Sequence, residues 1–238
     1  MSELSFSIVI PCFNEAKGLG ELIYQASKIA VKENGEFVLV DNGSTDATLE
    51  LLKSNLLPGI RWVSTPVNRG YGGGILFGLD SCNSNVVGWT HADLQTPLDD
   101  IVKAIEALKG ETGFVKGRRR NRPLIDKVFT SGMGIFESLL FKTWVWDINA
   151  QPTLFRTDFM ATWVSPPLDF SLDLYALLTA TKAKVGVKRV DVLFLPRKYG
   201  ESTWNTGLVS RWKFIRRTIL YSFTLRRQVR SANSATPG

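Results

Sequence analysis

The sequence is poor in the residues that build metal cages and cross-links. Its 238 residues include one histidine, His91, and two cysteines, Cys12 and Cys82. Two cysteines give no disulfide framework and no zinc-type spacing, so the expected state is two buried thiols in a reducing compartment. No apolar run approaches the roughly 20 residues needed to span a bilayer. Ser5–Pro11 is too short for the apolar core of a secretory leader. Charged residues make up 21% and apolar residues 44%, the balance of an ordinary globular chain long enough to bury one large core. No internal repeat is visible.

Charge is present but uneven. The formal net charge is +7, and from Arg197 onward nine Lys/Arg face one acid, a balance of +8 that leaves residues 1–196 near −1. A nearly neutral body with a basic end implies an anionic partner. Trp212, Ile215, Ile219 and Phe223 recur on one helical face, flanked by Arg211, Lys213, Arg216 and Arg217. That pattern predicts an amphipathic helix at an anionic membrane surface, with a helix packed on the body as its bland counterpart. Nucleic acid is not expected, because the aromatics follow a helical face instead of exposed stacking positions. Residues 231–238 read as a disordered tail.

Taken in order, the first half alternates strand and helix. Ser5–Pro11, Glu36–Val40, Ile60–Ser64 and Val86–Thr90 read as buried strands. Helices follow each, the first capped by Asn14 and the second by Ser44 or Thr45. Repeated βα units predict a parallel sheet with right-handed crossovers. Asn68–Gly74 reads as a loop; its glycines do not fit G-x-G-x-x-G, and they imply close approach to a ligand or another chain segment. Beyond it, Asp99–Lys109 and Lys127–Lys142 read as helices, Gly113–Gly117 and Val187–Leu195 as strands, Arg118–Arg122 as a basic loop able to clamp phosphates, and Trp144–Phe155 as extended. The Leu172–Ala183 helix opens on Asp173, whose bland role is to oppose the helix dipole.

The fourth strand leads into His91, Asp93 and Gln95. In an extended segment alternate residues share a face, so three polar, metal-competent side chains are expected together where open α/β sheets bind ligands.

Four stretches in this order then form a pattern: Pro11-Cys12-Phe13-Asn14-Glu15, Val40–Asp46, Asn68–Gly72 and Ala92–Pro97. The chain resembles the inverting family 2 glycosyltransferases over residues 5–204, and among them the dolichyl- and polyprenyl-phosphate mannosyl- and glucosyltransferases. The resemblance implies a GT-A fold, a Rossmann-like, mostly parallel central sheet flanked by helices. It implies one domain over residues 1–204, followed by the basic amphipathic helix at 205–230. It also implies transfer of a hexose from a UDP- or GDP-sugar to a polyprenyl phosphate, with inversion, at the inner face of a membrane.

By the same resemblance, Pro11, Asn14, Glu15, Asp41, Asn68, Gly70, Ala92, Asp93 and Ser202 would meet the nucleotide sugar. His91, Asp93 and Gln95 would hold a divalent cation, Mn²⁺ or Mg²⁺. Arg119 and Arg197 would meet phosphate, and Asp173 sits where hydroxyl-directed relatives keep an acid. His91 replaces the expected first acid of the metal motif: a neutral imidazole favours Mn²⁺ over Mg²⁺, or the site has lost tight metal binding and leans on Arg119 instead. Asn42 replaces a second acid, and Thr203 a lysine. Two other readings are transfer to a glycan hydroxyl in cell-surface polysaccharide synthesis and an impaired nucleotide-sugar binder.

Overall fold

The computed structural model describes residues 5–109, 113–121, 124–196, 198, 199, 216 and 218–227. Its centre is a seven-stranded sheet in the order β3-β2-β1-β4-β6-β5-β7. The strands are β1 (Phe6–Cys12), β2 (Glu36–Asn42), β3 (Ile60–Thr65), β4 (Val86–Trp89), β5 (Phe114–Arg120), β6 (Thr153–Arg156) and β7 (Val187–Leu193). β1 pairs in parallel with β2 and β4, and β2 with β3, as the βα repeats predict. β6 runs antiparallel between β4 and β5, and β7 returns parallel to β5.

The helices are α1 (Ala16–Lys32), α2 (Thr48–Ser54), α3 (Gly70–Leu79), α4 (Asp99–Leu108), α5 (Leu124–Phe141), the short α6 (Thr157–Met160) and α7 (Leu172–Lys182). A further helix occupies 218–227. Two apolar layers sandwich the sheet. Phe6, Ile8 and Ile10 meet α1 and α4 on one face, while Val9, Val38 and Val40 meet α3 and α7 on the other. Strands with core on both sides have no polar face to offer, hence their unbroken apolar runs.

Four expectations are corrected here. Asn14 does not cap α1: Glu15 is the N-cap, without a side-chain cap bond. Asn14 is left-handed at φ 58° and joins the next loop. Instead Asp46 and Thr48 accept hydrogen bonds from the N–H groups of Ala16 (3.3 Å) and Glu15 (2.9 Å). Gly70–Gly74 is not a loop but the start of α3. Its glycines serve a close approach between chain segments: a Cβ at Gly72 would lie 2.5 Å from the Pro167 carbonyl oxygen. Arg118–Arg120 belong to β5, and of Trp144–Phe155 only Thr153–Phe155 is strand.

Candidate active site

The carboxyl ends of the parallel strands lie side by side, with Cys12 opposite Asp41 and Asn42 opposite Thr65. Three loops leave from this edge and are tied together by side chains. Asn14 Oδ1 accepts from the Thr45 N–H (2.8 Å), and the Asn14 N–H donates to Ser44 Oγ (3.1 Å). Asp41 Oδ1 accepts from the Ser44 N–H (3.1 Å). Asn42 uses both ends of its carboxamide: Nδ2 donates to the Gly70 carbonyl (3.0 Å), and Oδ1 accepts from the Arg69 N–H (3.0 Å). A carboxylate at position 42 would lack the donor for Gly70, so the departure at Asn42 has a local structural reason. Pro11, Asn14, Glu15, Asp41, Asn68 and Gly70 therefore occupy one edge of the sheet.

The next strand end departs from expectation. β4 stops at Trp89, and residues 92–96 form successive bends with Leu94 at φ 55°. His91, Asp93 and Gln95 thus do not alternate along an extended strand. Asp93 Oδ1 accepts from the Gln95 N–H (3.1 Å), closing a local turn. The Gln95 carboxamide donates to the Leu195 carbonyl (3.1 Å), and its backbone carbonyl accepts from the Leu195 N–H (2.8 Å). Gln95 therefore ties this loop to the chain after β7, and its amide nitrogen is committed there. Ala92 is buried beneath the bend.

Among the described residues, no three His, Cys, Asp or Glu side chains cluster as a metal cage. Desolvation pushes the His91 imidazole below its ordinary 6.5, against the pull of Asp93 and Asp173. A neutral imidazole keeps a lone pair for a cation. A neutral imidazole and a carboxylate two residues apart are donor types that a divalent cation accepts. Burial first, then the charges of Glu15 and Asp41, drive the Cys12 thiol far above its usual range, which leaves it protonated and inert.

Behind the bend lies a buried polar cluster. Lys116 of β5 is 0% exposed and Asp173 of α7 is 2% exposed, and they form an ion pair. Lys116 Nζ also donates to Thr153 Oγ1 (2.6 Å). Asp173 Oδ1 accepts from Gln151 Nε2 (2.9 Å) and Trp89 Nε1 (3.3 Å), and Oδ2 accepts from the Tyr71 hydroxyl (3.0 Å). Burial lowers the Lys116 ammonium from 10.5 to about 8, with Asp173 opposing. Asp173 sits in the first turn of α7 as expected, yet dipole compensation is a minor part of its surroundings. Sequence reading missed the network because its members are apart in the chain and of unremarkable type.

The basic strand end divides by β-alternation. Arg118 and Arg120 both pair with Asp191 of β7. Arg119 points the other way and grips Asp147 with Nε (2.8 Å) and Nη2 (2.5 Å), while its N–H meets the second Asp147 oxygen (2.7 Å). Arg189 donates to the Trp146 carbonyl (2.6 Å) and lies over the Trp146 ring, which fixes the segment that carries Asp147. After β7, Lys198 and Tyr199 bond Glu21 of α1 (2.6 and 2.9 Å). Arg197, Gly200, Ser202 and Thr203 lie outside the described residues, as do Trp212–Ile215, Arg122 and 231–238.

Arg119 and Asp147 open onto a cavity of about 180 Å³ walled by Met133, Glu137, Phe170 and Tyr221. Glu137 is 3% exposed, and burial raises its carboxyl from 4.5 to about 7, with Ser222 as a weak opposing partner. Ser222 Oγ lies 3.0 Å from the Thr218 carbonyl and 3.4 Å from Glu137 Oε1. One hydroxyl proton cannot serve both acceptors, whereas a protonated Glu137 can donate to Ser222 and leave it free to donate to Thr218.

With this geometry in view, comparison with known proteins decides the family. Residues 7–163 match the family described as Glycosyl transferase family 2. The chain belongs to that family. Among curated relatives, it is 37% identical over 126 residues to an undecaprenyl-phosphate 4-deoxy-4-formamido-L-arabinose transferase of Pseudomonas fluorescens, covering 50% of this chain and 37% of that protein. It is 30% identical over 128 residues to a dodecaprenyl-phosphate galacturonate synthase of Rhizobium johnstonii, covering 51% and 38%. The matches thus span under two fifths of these relatives' length. Among solved structures, glucosyl-3-phosphoglycerate synthase from Mycobacterium tuberculosis, crystallised with Mn²⁺, UDP and glucosyl-3-phosphoglycerate, superposes with a TM-score of 0.68 at 19% identity, covering 92% of this chain and 80% of that one. At that identity the likeness speaks for the GT-A fold alone.

Glu137 yields a signed pH prediction. Its folded value of about 7 exceeds the ordinary 4.5. It therefore contributes stability that is fully present below about 4.5 and is lost as pH rises to about 7. Urea unfolding at a series of pH values should show Glu137→Gln gaining on the parent protein across that window and tracking it above. Parallel curves throughout would contradict the assignment.

Proposed function

We propose that this family 2 glycosyltransferase moves a hexose from a nucleotide-diphosphate sugar to a polyprenyl phosphate at a membrane surface, with inversion at the anomeric carbon. The observation that carries this reading is the condition of Asp173. A hydroxyl acceptor needs a general base. Asp173, the acid in the position for that task, is 2% exposed and accepts hydrogen bonds from Lys116, Gln151, Trp89 and Tyr71. A phosphate acceptor arrives ionised and needs cationic positioning instead, a role that suits Arg119 and Arg197. The prenyl-phosphate relatives point the same way.

On the donor side, Asn14, Asp41, Asn68 and Gly70 mark the strand edge for the nucleotide, and His91 and Asp93 face the diphosphate. A divalent cation bound there would stabilise the charge that develops on the departing diphosphate. The protein's own part is to hold His91 neutral and Asp93 in its turn.

The membrane reading rests on a two-helix surface. No helix among the described residues is long and apolar enough to cross a bilayer. Ile135 and Leu139 of α5 are 53% and 75% exposed, Trp144 is 73% exposed, and Leu220 and Phe223 are 56% and 46% exposed. Phe136 and Phe223 meet edge to face at 6.2 Å, so the two helices present one apolar surface. The same helix buries Ser222 and Leu225 against the body, which makes it both packed and outward-facing.

Two outcomes follow. Incubated with labelled UDP- or GDP-hexoses, Mn²⁺ and undecaprenyl phosphate in detergent, the protein should move label into the organic phase with inverted configuration. Asp93→Asn should abolish this transfer, and Asp173→Asn should lower it by no more than about 100-fold, as a positioning defect does, instead of the up to about 10⁴-fold of a missing base. Label transferred only to free glycans would favour the hydroxyl-acceptor alternative, and donor-induced thermal stabilisation without any transfer would favour an impaired binder. Separately, cosedimentation with anionic liposomes should weaken with salt and on Leu139→Glu with Phe223→Glu. Binding indifferent to lipid charge and to both changes would refute the membrane surface.

A further inference from the structure

Tyr71 is the residue through which the buried ion pair reaches the site. Its ring lies 5.7 Å from that of His91 at an interplanar angle of 34°, on the donor side. It also stacks on Phe170 at 4.7 Å and 11°, and Phe170 is part of the wall of the cavity beside Arg119. One phenol ring therefore touches both the bend that carries His91 and the wall of the cavity. An aromatic ring held only by stacking slides easily, because offset arrangements are close in energy.

The hydroxyl group supplies what stacking lacks. It donates to Asp173 Oδ2 (3.0 Å) and accepts from Gln151 Nε2 (3.1 Å). Asp173 can offer that acceptor because Lys116 compensates its charge from within the sheet, and Gln151 is fixed in turn by Thr153 (3.0 Å). The start of α3 cannot drift either, since the Gly73 N–H bonds the Leu168 carbonyl (2.9 Å), two residues before Phe170.

We propose that Lys116 and Asp173 form a positioning pair that acts through Tyr71 to set the ring of His91 against the donor side and the ring of Phe170 against the cavity. Its effect on turnover rests on the functional reading above, and its effect on His91 does not. Neither member of the pair touches the reacting atoms. Their task is to keep the wall shared by the two half-sites in one place, so that donor and acceptor meet in line. Misplacement by about 1 Å at such a wall can cost on the order of 10²-fold in rate with little change in ground-state binding.

His91 is the one histidine of the chain, which makes it a unique spectroscopic reporter. In untagged protein, the imidazole C–H resonances can be followed without assignment. Tyr71→Phe keeps both ring contacts and deletes only the hydroxyl. Lys116→Met combined with Asp173→Asn deletes the charges while leaving Tyr71 intact. Both variants should move or broaden the His91 signals in the same sense, and Tyr71→Phe should lower kcat roughly 10- to 100-fold while nucleotide affinity, read by calorimetry with UDP or GDP, stays near the parent value. His91 signals that superimpose on the parent's in Tyr71→Phe would overturn the proposal. So would displaced signals with kcat unchanged. Displaced signals in a protein that binds no nucleotide would instead refute the functional reading, while the placement of His91 by the pair would stand.

Discussion

Lys116 and Asp173 meet at a point where β4, β5, α3, α7 and the segment before β6 converge, and each of these elements sends a polar group to that point. A buried ion pair is costly to desolvate and repays its cost only when its remaining hydrogen-bonding capacity is used. Here the Asp173 carboxylate receives Lys116, Gln151, Trp89 and Tyr71, and the Lys116 ammonium also reaches Thr153 and the face of Trp89 at 5.8 Å. An apolar cluster could fill the same volume in several ways. A carboxylate with four named donors admits one arrangement, and that arrangement sets Tyr71, His91 and Phe170 relative to the strand ends.

The same logic shapes the end of β5. β-alternation at the end of β5 sends Arg118 and Arg120 to Asp191 and Arg119 to Asp147, so neighbouring cations serve different faces. Arg119 is partly buried, at 12% side-chain exposure, and its guanidinium is held on Asp147 Oδ1 through both Nε and Nη2. A guanidinium held in this way has already lost much of its rotamer freedom. Asp173 is saturated by donors, and burial raises the Glu137 carboxyl at the cavity to about 7.

Much of the scaffold was legible from residues alone. Ile8-Val9-Ile10 and Phe37–Val40 are apolar without a break because both sheet faces are covered, and the βα spacing then forces the parallel half. Only the start of α3 was not legible, since glycine is a poor helix former and Gly70–Gly74 reads as a loop. Tertiary packing overrides that propensity: a Cβ at Gly72 would strike the Pro167 carbonyl oxygen, and one at Gly78 would lie 2.5 Å from Val9. The antiparallel β6 was hidden in an aromatic stretch with no strand periodicity. At the site, residue types were readable and partners were not. Lys116 and Asp173 are 57 positions apart, and Tyr71 and Asp173 are 102 apart. No local pattern encodes such pairs. The alternation of His91, Asp93 and Gln95 failed for a smaller reason, because the strand ends two residues too early.

A double-mutant cycle on Lys116 and Asp173, followed by chemical unfolding, tests the keystone role most directly. Lys116→Met and Asp173→Asn each leave a buried charge without its counterpart and should each cost about 3–5 kcal/mol. The double variant should cost at least about 2 kcal/mol less than the sum, within the range found for contacting charged residues. Additive costs, to within roughly 0.5 kcal/mol, would mean that the two side chains are independent and that something else holds the site in place.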